Sequence, residues 1–204
     1  MEKEPFRRIL KWAQRALFAC GILLLGYCAF ALVDAWTFQR RESMNLDRLL
    51  SDRRAASGGA PAAATNGLIG RMEIPRLGLS VVVVEGVGRT TLRRGVGHIP
   101  GTALPGEDGN VGLSGHRDTF FRPLKDLRIK DEIQISTLKG DFSYEVESLR
   151  VVEPSDVGVL EPARENVLTL VTCYPFFYIG AAPKRFVVRA RQMSPQTLAR
   201  SSVK

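Results

Sequence analysis

Apolar and polar positions are distributed unevenly along the chain. From Ala16 to Val33 the sequence reads ALFACGILLLGYCAFALV, with no charge between Arg15 and Asp34. A helix crossing bilayer hydrocarbon needs about 20 mainly apolar residues. With Trp36 beside it this run approaches that length, and no later run matches it. Trp36 to Arg54 has helical composition, with Met44, Leu46, Leu49 and Leu50 as an apolar stripe, and is predicted to continue the membrane helix outward. Ala55 to Gly67, AASGGAPAAATNG, reads as a flexible linker.

From Leu68 the pattern changes to short apolar runs punctuated by turn residues. Strands are predicted over Leu68–Ile74, Leu79–Glu85, Asn110–Ser114, Glu132–Ser136, Phe142–Glu153, Val167–Thr172 and Arg185–Arg191. Period-two alternation is visible in Ile133 and Ile135 and in Tyr144 and Val146. Pro100-Gly101 and Pro105-Gly106 mark connections, and Thr90–Arg94 and Asp118–Leu124 are predicted as short helical turns. Seven or eight short strands in about 130 residues predict a closed or nearly closed barrel. The fold class expected is therefore mainly β, preceded by one transmembrane helix. The expected divisions are a basic segment at 1–15, a membrane helix at 16–36, a stalk and linker at 37–67, a folded domain at 68–192 and a tail at 193–204.

Charge gives the helix an orientation. Lys3, Arg7, Arg8, Lys11 and Arg15 precede the span, whereas Arg40, Arg41, Arg48, Arg53 and Arg54 follow it among Glu42, Asp47 and Asp52. Basic residues resist translocation, so the N-terminus is expected in the cytoplasm and the folded domain outside. A cleaved signal peptide has a shorter apolar core of about 7–15 residues before small residues. Tyr27 is too bulky to precede a lipoprotein cysteine at Cys28, and Cys20 sits too early. The segment is read as an uncleaved anchor. The formal net charge of +8 does not point to nucleic acid, because the basic residues are scattered and no zinc-finger, helix-turn-helix or RNA-reading pattern is present.

Two of the 3 cysteines lie in the membrane segment, which leaves Cys173 without a partner in its own domain. An unpaired thiol on an exported domain is kept for reactivity or for an intermolecular bridge, although a buried inert thiol is the commoner fate of a free cysteine. Three stretches offer it chemistry: NVGLSGHRDT with His116, VLTLVTCYP with Cys173 and PKRFVVR with Arg185. A thiol at a strand end can be exposed yet fixed, and a histidine or cation beside it favours the nucleophilic thiolate. His116 could move protons, and Arg185 could hold a carbonyl or an oxyanion. On residue type alone His98 competes with His116, and Lys184 and Arg189 compete with Arg185.

The order NVGLSGHRDT, then LTLVTC, then an arginine opening a last apolar strand resembles the sortases, which are bacterial cysteine transpeptidases. TLVTC is similar to their TLxTC signature, and HIPGTALPGEDGNVGLSGHRDTFFRPLKDL most resembles class D members. The resemblance runs from about Gly70 to Arg191. It implies an eight-stranded sortase barrel, with Cys173 as nucleophile, His116 as general acid/base and Arg185 as the oxyanion-steadying arginine. The implied reaction cleaves an LPxTG-like C-terminal sorting signal of a surface protein between Thr and Gly. A thioacyl enzyme forms and is resolved by an amine acceptor such as a cell-wall precursor, with no cofactor and no metal. Thr172, His98, Phe120 and Tyr174 are the expected substrate-binding residues, His98 alternatively being structural, and Arg117 is expected to form a salt bridge. The segment before Leu68 lacks the Asp-Pro-aromatic lid of class C members, which favours anchoring over pilus polymerisation. Asp118 and Glu161 show no calcium-ligand spacing. A cysteine hydrolase and a non-catalytic envelope-binding module are the competing functions.

Overall fold

The structure is a computed structural model. It describes residues 3–55 and 67–193. Most of the expected linker, and the expected tail beyond 193, lie outside the described residues. The chain divides into two compact units, Met1–Phe38 and Gln39–Lys204, and helix α1 (Lys3–Ala55) contributes to both.

In the first unit, Ala and Leu dominate the apolar run, and both are strong helix formers. Its large side chains face outward, with Leu17 77% and Leu23 73% exposed. A soluble core helix would bury them. Among the described residues α1 is the one helix long and apolar enough to cross a membrane.

In the second unit the end of α1 behaves differently. Leu46 and Leu50, one turn apart, are buried. The Gln39 amide bridges two backbone groups, accepting from Val82 N at 3.0 Å and donating to Arg94 O at 2.5 Å. Asp47 pairs with Arg71.

The rest of this unit is a closed barrel. Its strands are β1 (Leu68–Ile74), β2 (Leu79–Glu85), β3 (Val96–His98), β4 (Asn110–Ser114), β5 (Glu132–Thr137), β6 (Asp141–Val152), β7 (Val167–Tyr174) and β8 (Lys184–Gln192). They close in the order β1-β2-β3-β4-β7-β8-β6-β5. β2–β3 and β4–β7 are parallel and the other neighbours antiparallel. Parallel neighbours need a crossover. Helix α2 (Arg89–Arg94) lies in the first, and β5 and β6 lie in the second.

Alternation fills the barrel. Met72 and Ile74, Val81 and Val83, Val111 and Leu113, Ile133 and Ile135, Tyr144 and Val146, Leu168 and Leu170, and Val188 and Ala190 form one buried cluster. Period two places each pair on one face, so the interior is packed side chain rather than a channel. Burial of Tyr144 pushes its phenol up to about 12.

Three elements differ most from expectation. β3 is only three residues long, VGH, and lies between glycine and turn residues, too short to show a period. β7 runs two residues past the predicted Thr172, because Cys173 and Tyr174 still pair with Arg185 and Lys184. The helical turn expected over Asp118–Leu124 appears as a 3-10 helix shifted to Arg122–Asp126.

One ion pair braces the segment that follows β4. Arg76, in the 3-10 turn after β1, donates to both carboxylate oxygens of buried Asp131 at 2.5 and 2.6 Å and to Asp126 O at 2.6 Å. Arg128 N adds a bond to Asp131 at 2.7 Å. The Arg76 hydrogen bond, resisted by burial, holds the Asp131 carboxyl below its ordinary range. A depressed carboxyl pKa contributes stability above the unfolded value, and that contribution is lost as pH falls through the folded value. Asp131→Asn is therefore expected to lower Tm by about 5 °C at neutral pH. In a melt series across acid pH, the gap between variant and parent should close as the parent's carboxyl protonates.

Candidate active site

The candidate residues Cys173, Arg185 and His116 lie toward one end of adjacent strands. β7 and β8 pair so that Cys173 lies directly opposite Arg185. Directly opposed residues of an antiparallel pair project from the same face. Leu168 and Leu170 of β7 belong to the core cluster, as do Val188 and Ala190 of β8. Alternation then sends Thr172 inward with them and Cys173 and Arg185 to the outer face. Cys173 is partly exposed.

His116 arrives on the other side of β7. β4 and β7 run parallel, from Asn110 opposite Val167 to Ser114 opposite Val171. The stitching continues one residue further, since Gly115 N donates to Val171 O at 3.3 Å and the Thr172 hydroxyl donates to Gly115 O at 2.7 Å. One residue further along are His116, past the end of β4, and Cys173, still within β7. His116 is exposed, and its carbonyl is held by Thr119 N at 3.3 Å and Phe121 N at 3.1 Å.

The four residues expected to touch substrate are distributed differently. Tyr174 ends β7 partly buried, its ring stacked on Phe186 at 6.4 Å and edge-on to Phe176 at 6.0 Å. Phe120, in the turn after His116, is partly buried against the core cluster. Thr172 is 2% exposed with its hydroxyl committed to Gly115. His98 is 3% exposed and bonded at both ring nitrogens. Its Nδ1 lies 2.9 Å from a Glu85 carboxylate oxygen. Its Nε2 faces Ala103 O and Thr102 Oγ1, both at 3.0 Å. Thr102 Oγ1 donates to Ile99 O at 2.7 Å and accepts from Gly112 N at 3.0 Å. His98 and Thr172 thus tie β3, β4 and β7 to one another.

Arg185 Nη1 donates to Ala182 O at 3.3 Å and Lys184 O at 3.0 Å. Arg117 was expected in a salt bridge, and its Nε does lie 3.6 Å from Asp118. It also donates to Pro175 O at 3.0 Å, Tyr178 O at 2.8 Å and Gly180 O at 3.1 Å, all in the loop after β7. Asn110 is a second residue that sequence reasoning missed. It is buried, donates to Val159 O and Glu161 O at 3.1 Å, and accepts from the Thr169 hydroxyl at 2.7 Å. It secures the β6–β7 connection at the start of β4, the end of the strand away from Cys173. No local signal marked Asn110 or the carbonyls that Arg117 binds, because those partners are distant in sequence.

The barrel that carries these residues matches a known family. Residues 72–193 match the sortase domain. The chain belongs to the sortase family. It is 30% identical over 191 residues to Sortase D of Bacillus subtilis strain 168, covering 87% of this chain and 96% of that one. It is 37% identical over 125 residues to Sortase SrtE1 of Streptomyces coelicolor, of which it spans 36%. Among solved structures, the Sortase D5 transpeptidase of Clostridium perfringens superposes with a TM-score of 0.64 at 28% identity, covering 79% of this chain and 99% of that one. Sortase C1 of Streptococcus agalactiae gives 0.60 at 29% identity, covering 65% of this chain and 71% of that one. This sortase is thus a cysteine transpeptidase by family, and the expected barrel and class D likeness stand.

Gly115 is where the path of His116 is most constrained. A Cβ there would come within 2.9 Å of the Phe121 ring, which is fully buried. Gly115→Ala is expected to cost about 1–3 kcal/mol in urea unfolding, because the ring cannot withdraw from a packed core.

Proposed function

We propose that this sortase cleaves an LPxTG-like sorting signal between Thr and Gly and transfers the surface protein to an amine at the cell envelope. The observation carrying this reading is the strand register: Cys173 faces Arg185 across β7–β8 while the β4–β7 pairing leads His116 toward the same residue. Cys173 sulfur attacks the threonine carbonyl, and Arg185 hydrogen-bonds the oxyanion that develops. The Thr–Gly bond breaks as His116 delivers a proton to the departing glycine amine, the proton originating on the thiol. A thioacyl enzyme remains. The incoming amine attacks it, His116 takes up the amine's proton, and the sulfur leaves as a new amide forms. No cofactor or metal is required.

Phe120 and Tyr174 offer apolar surface for the Leu and Pro of the signal. Thr172 and His98 we assign to the framework, on the strength of their burial and committed hydrogen bonds. The apolar helix supports single-pass anchoring, and the flanking basic residues support a cytoplasmic N-terminus with the catalytic domain outside. A membrane-tethered enzyme meets a membrane-tethered substrate at high effective concentration. The sequence before Leu68 lacks an Asp-Pro-aromatic lid, which favours anchoring over pilus polymerisation.

The test is full-length enzyme in detergent micelles with an LPxTG-like peptide, with and without an amine acceptor. Amide-linked product is expected in the presence of amine, with a Cys173 thioacyl adduct visible by intact mass. Cys173→Ala should abolish cleavage, and His116→Ala and Arg185→Ala should each lower it by about 100-fold or more. Equal release to water with and without amine would make the protein a hydrolase. No cleavage and no adduct with any sorting-signal peptide would leave a non-catalytic envelope module. Full activity in Arg185→Ala would shift the oxyanion role to Arg189.

A further inference from the structure

We propose that Arg117 is a positioning residue that sets His116 against Cys173 by clamping the loop between β7 and β8; this rests on His116 and Cys173 being the reacting pair. Arg117 is 6% exposed although it carries a permanent charge. A buried cation is retained only where its donors are satisfied. Here the guanidinium reaches three carbonyls, those of Pro175, Tyr178 and Gly180. Its Nε faces Asp118 at 3.6 Å, and its Cζ lies 5.8 Å from the centroid of the Tyr178 ring.

The loop needs this external hold. None of the turn hydrogen bonds among the described residues joins two residues of 175–183. Burial does not fix the tip either, since Phe177 is 72% and Ile179 101% exposed. Three carbonyls converging on one point repel one another unless a donor sits between them. Arg117 is that donor.

The consequence reaches the site from both sides. Arg117 is bonded covalently to His116, whose carbonyl is fixed within the turn that runs to Phe121. Pro175, at the far end of the clamp, is two residues after Cys173. The clamp adds a further connection between the histidine segment and the cysteine segment, beyond the bonds from Gly115 N to Val171 O and from Thr172 to Gly115 O. A fork of planar donors can serve three separated carbonyls, whereas a lysine ammonium is a single point.

The test uses full-length enzyme in micelles, with the active fraction counted by alkylation of Cys173 followed by peptide mass spectrometry. Arg117→Ala is expected to lower kcat by about 30–100-fold with KM within about threefold of the parent. Arg117→Lys should recover part of that loss. In a double-mutant cycle, Arg117→Ala should cost nothing further once His116→Ala is present, since its effect travels through His116. Hydrogen exchange over 175–183 should accelerate in both Arg117 variants. Retention of kcat within twofold, or a loss that adds fully to that of His116→Ala, overturns the proposal. If Arg117→Ala does not fold, the same comparisons are made with Arg117→Lys and Arg117→Gln, and unchanged kcat in both overturns it. A parent without Cys173-dependent cleavage refutes the proposed function instead; the clamp is then judged by exchange alone, and unaltered exchange over 175–183 removes it as well.

Discussion

The parallel pairing of β4 with β7 is the constraint on which the site depends. Five successive residue pairs, Asn110 with Val167 through Ser114 with Val171, fix where the chain leaving β4 meets the end of β7. A slip of one residue would turn every side chain of β7 to the opposite face. Leu168 and Leu170 would then leave the core, and each contributes about 1.5–3 kcal/mol by burial. Core packing therefore enforces the register, and the register delivers His116, Cys173 and Arg185 to one end of three strands. The polar bonds at Thr172, Asn110 and His98 refine this placement. None of them sets it.

This division explains the inward and outward roles of the TLVTC stretch. Leu168, Leu170 and Thr172 face the interior, and Thr172 is the position at which the apolar series gives way to a hydroxyl. A valine of similar shape would fill the space but leave the Gly115 carbonyl without that donor. Thr169, on the other face, is used in the same way by Asn110. The threonines of this strand thus serve two neighbouring connections, the one carrying His116 and the one between β6 and β7.

Much of this was legible in the chain. Strand positions followed from period-two burial and turn residues, and Leu68–Ile74, Leu79–Glu85 and Asn110–Ser114 coincide with the predicted bounds. Cys173 and His116 stood out because an unpaired thiol and one of only 2 histidines fell in motif-bearing segments. What the sequence could not carry was non-local. β3 has three residues and draws its stability from β2 and β4 rather than from its own pattern. The extra turn of pairing that takes β7 to Tyr174 depends on where β8 begins. The carbonyls bound by Arg117 lie 58, 61 and 63 residues away, so its neighbour Asp118 was the only partner that proximity could suggest. Burial of His98 is likewise a property of the closed barrel, invisible in a turn-rich segment.

The two arginines at the site illustrate why one can be structural and the other chemical. Arg117 spends its donors on three carbonyls in a buried setting, and its removal would leave each carbonyl without a partner. Arg185 makes only two contacts, both from one nitrogen, to Ala182 and Lys184, and is less buried. Both acceptors are neutral, whereas the oxyanion of the proposed chemistry is charged. Hydrogen bonds to a charged acceptor are roughly twice as strong as neutral ones, so turning from carbonyl to oxyanion is favourable as charge develops. Such a group stabilises the transition state more than the ground state, which is the requirement for raising turnover. With Arg117 holding the first part of the loop, release of Ala182 by Arg185 need not free the whole connection. The proposed clamp and the proposed oxyanion donor are then complementary parts of one strand end.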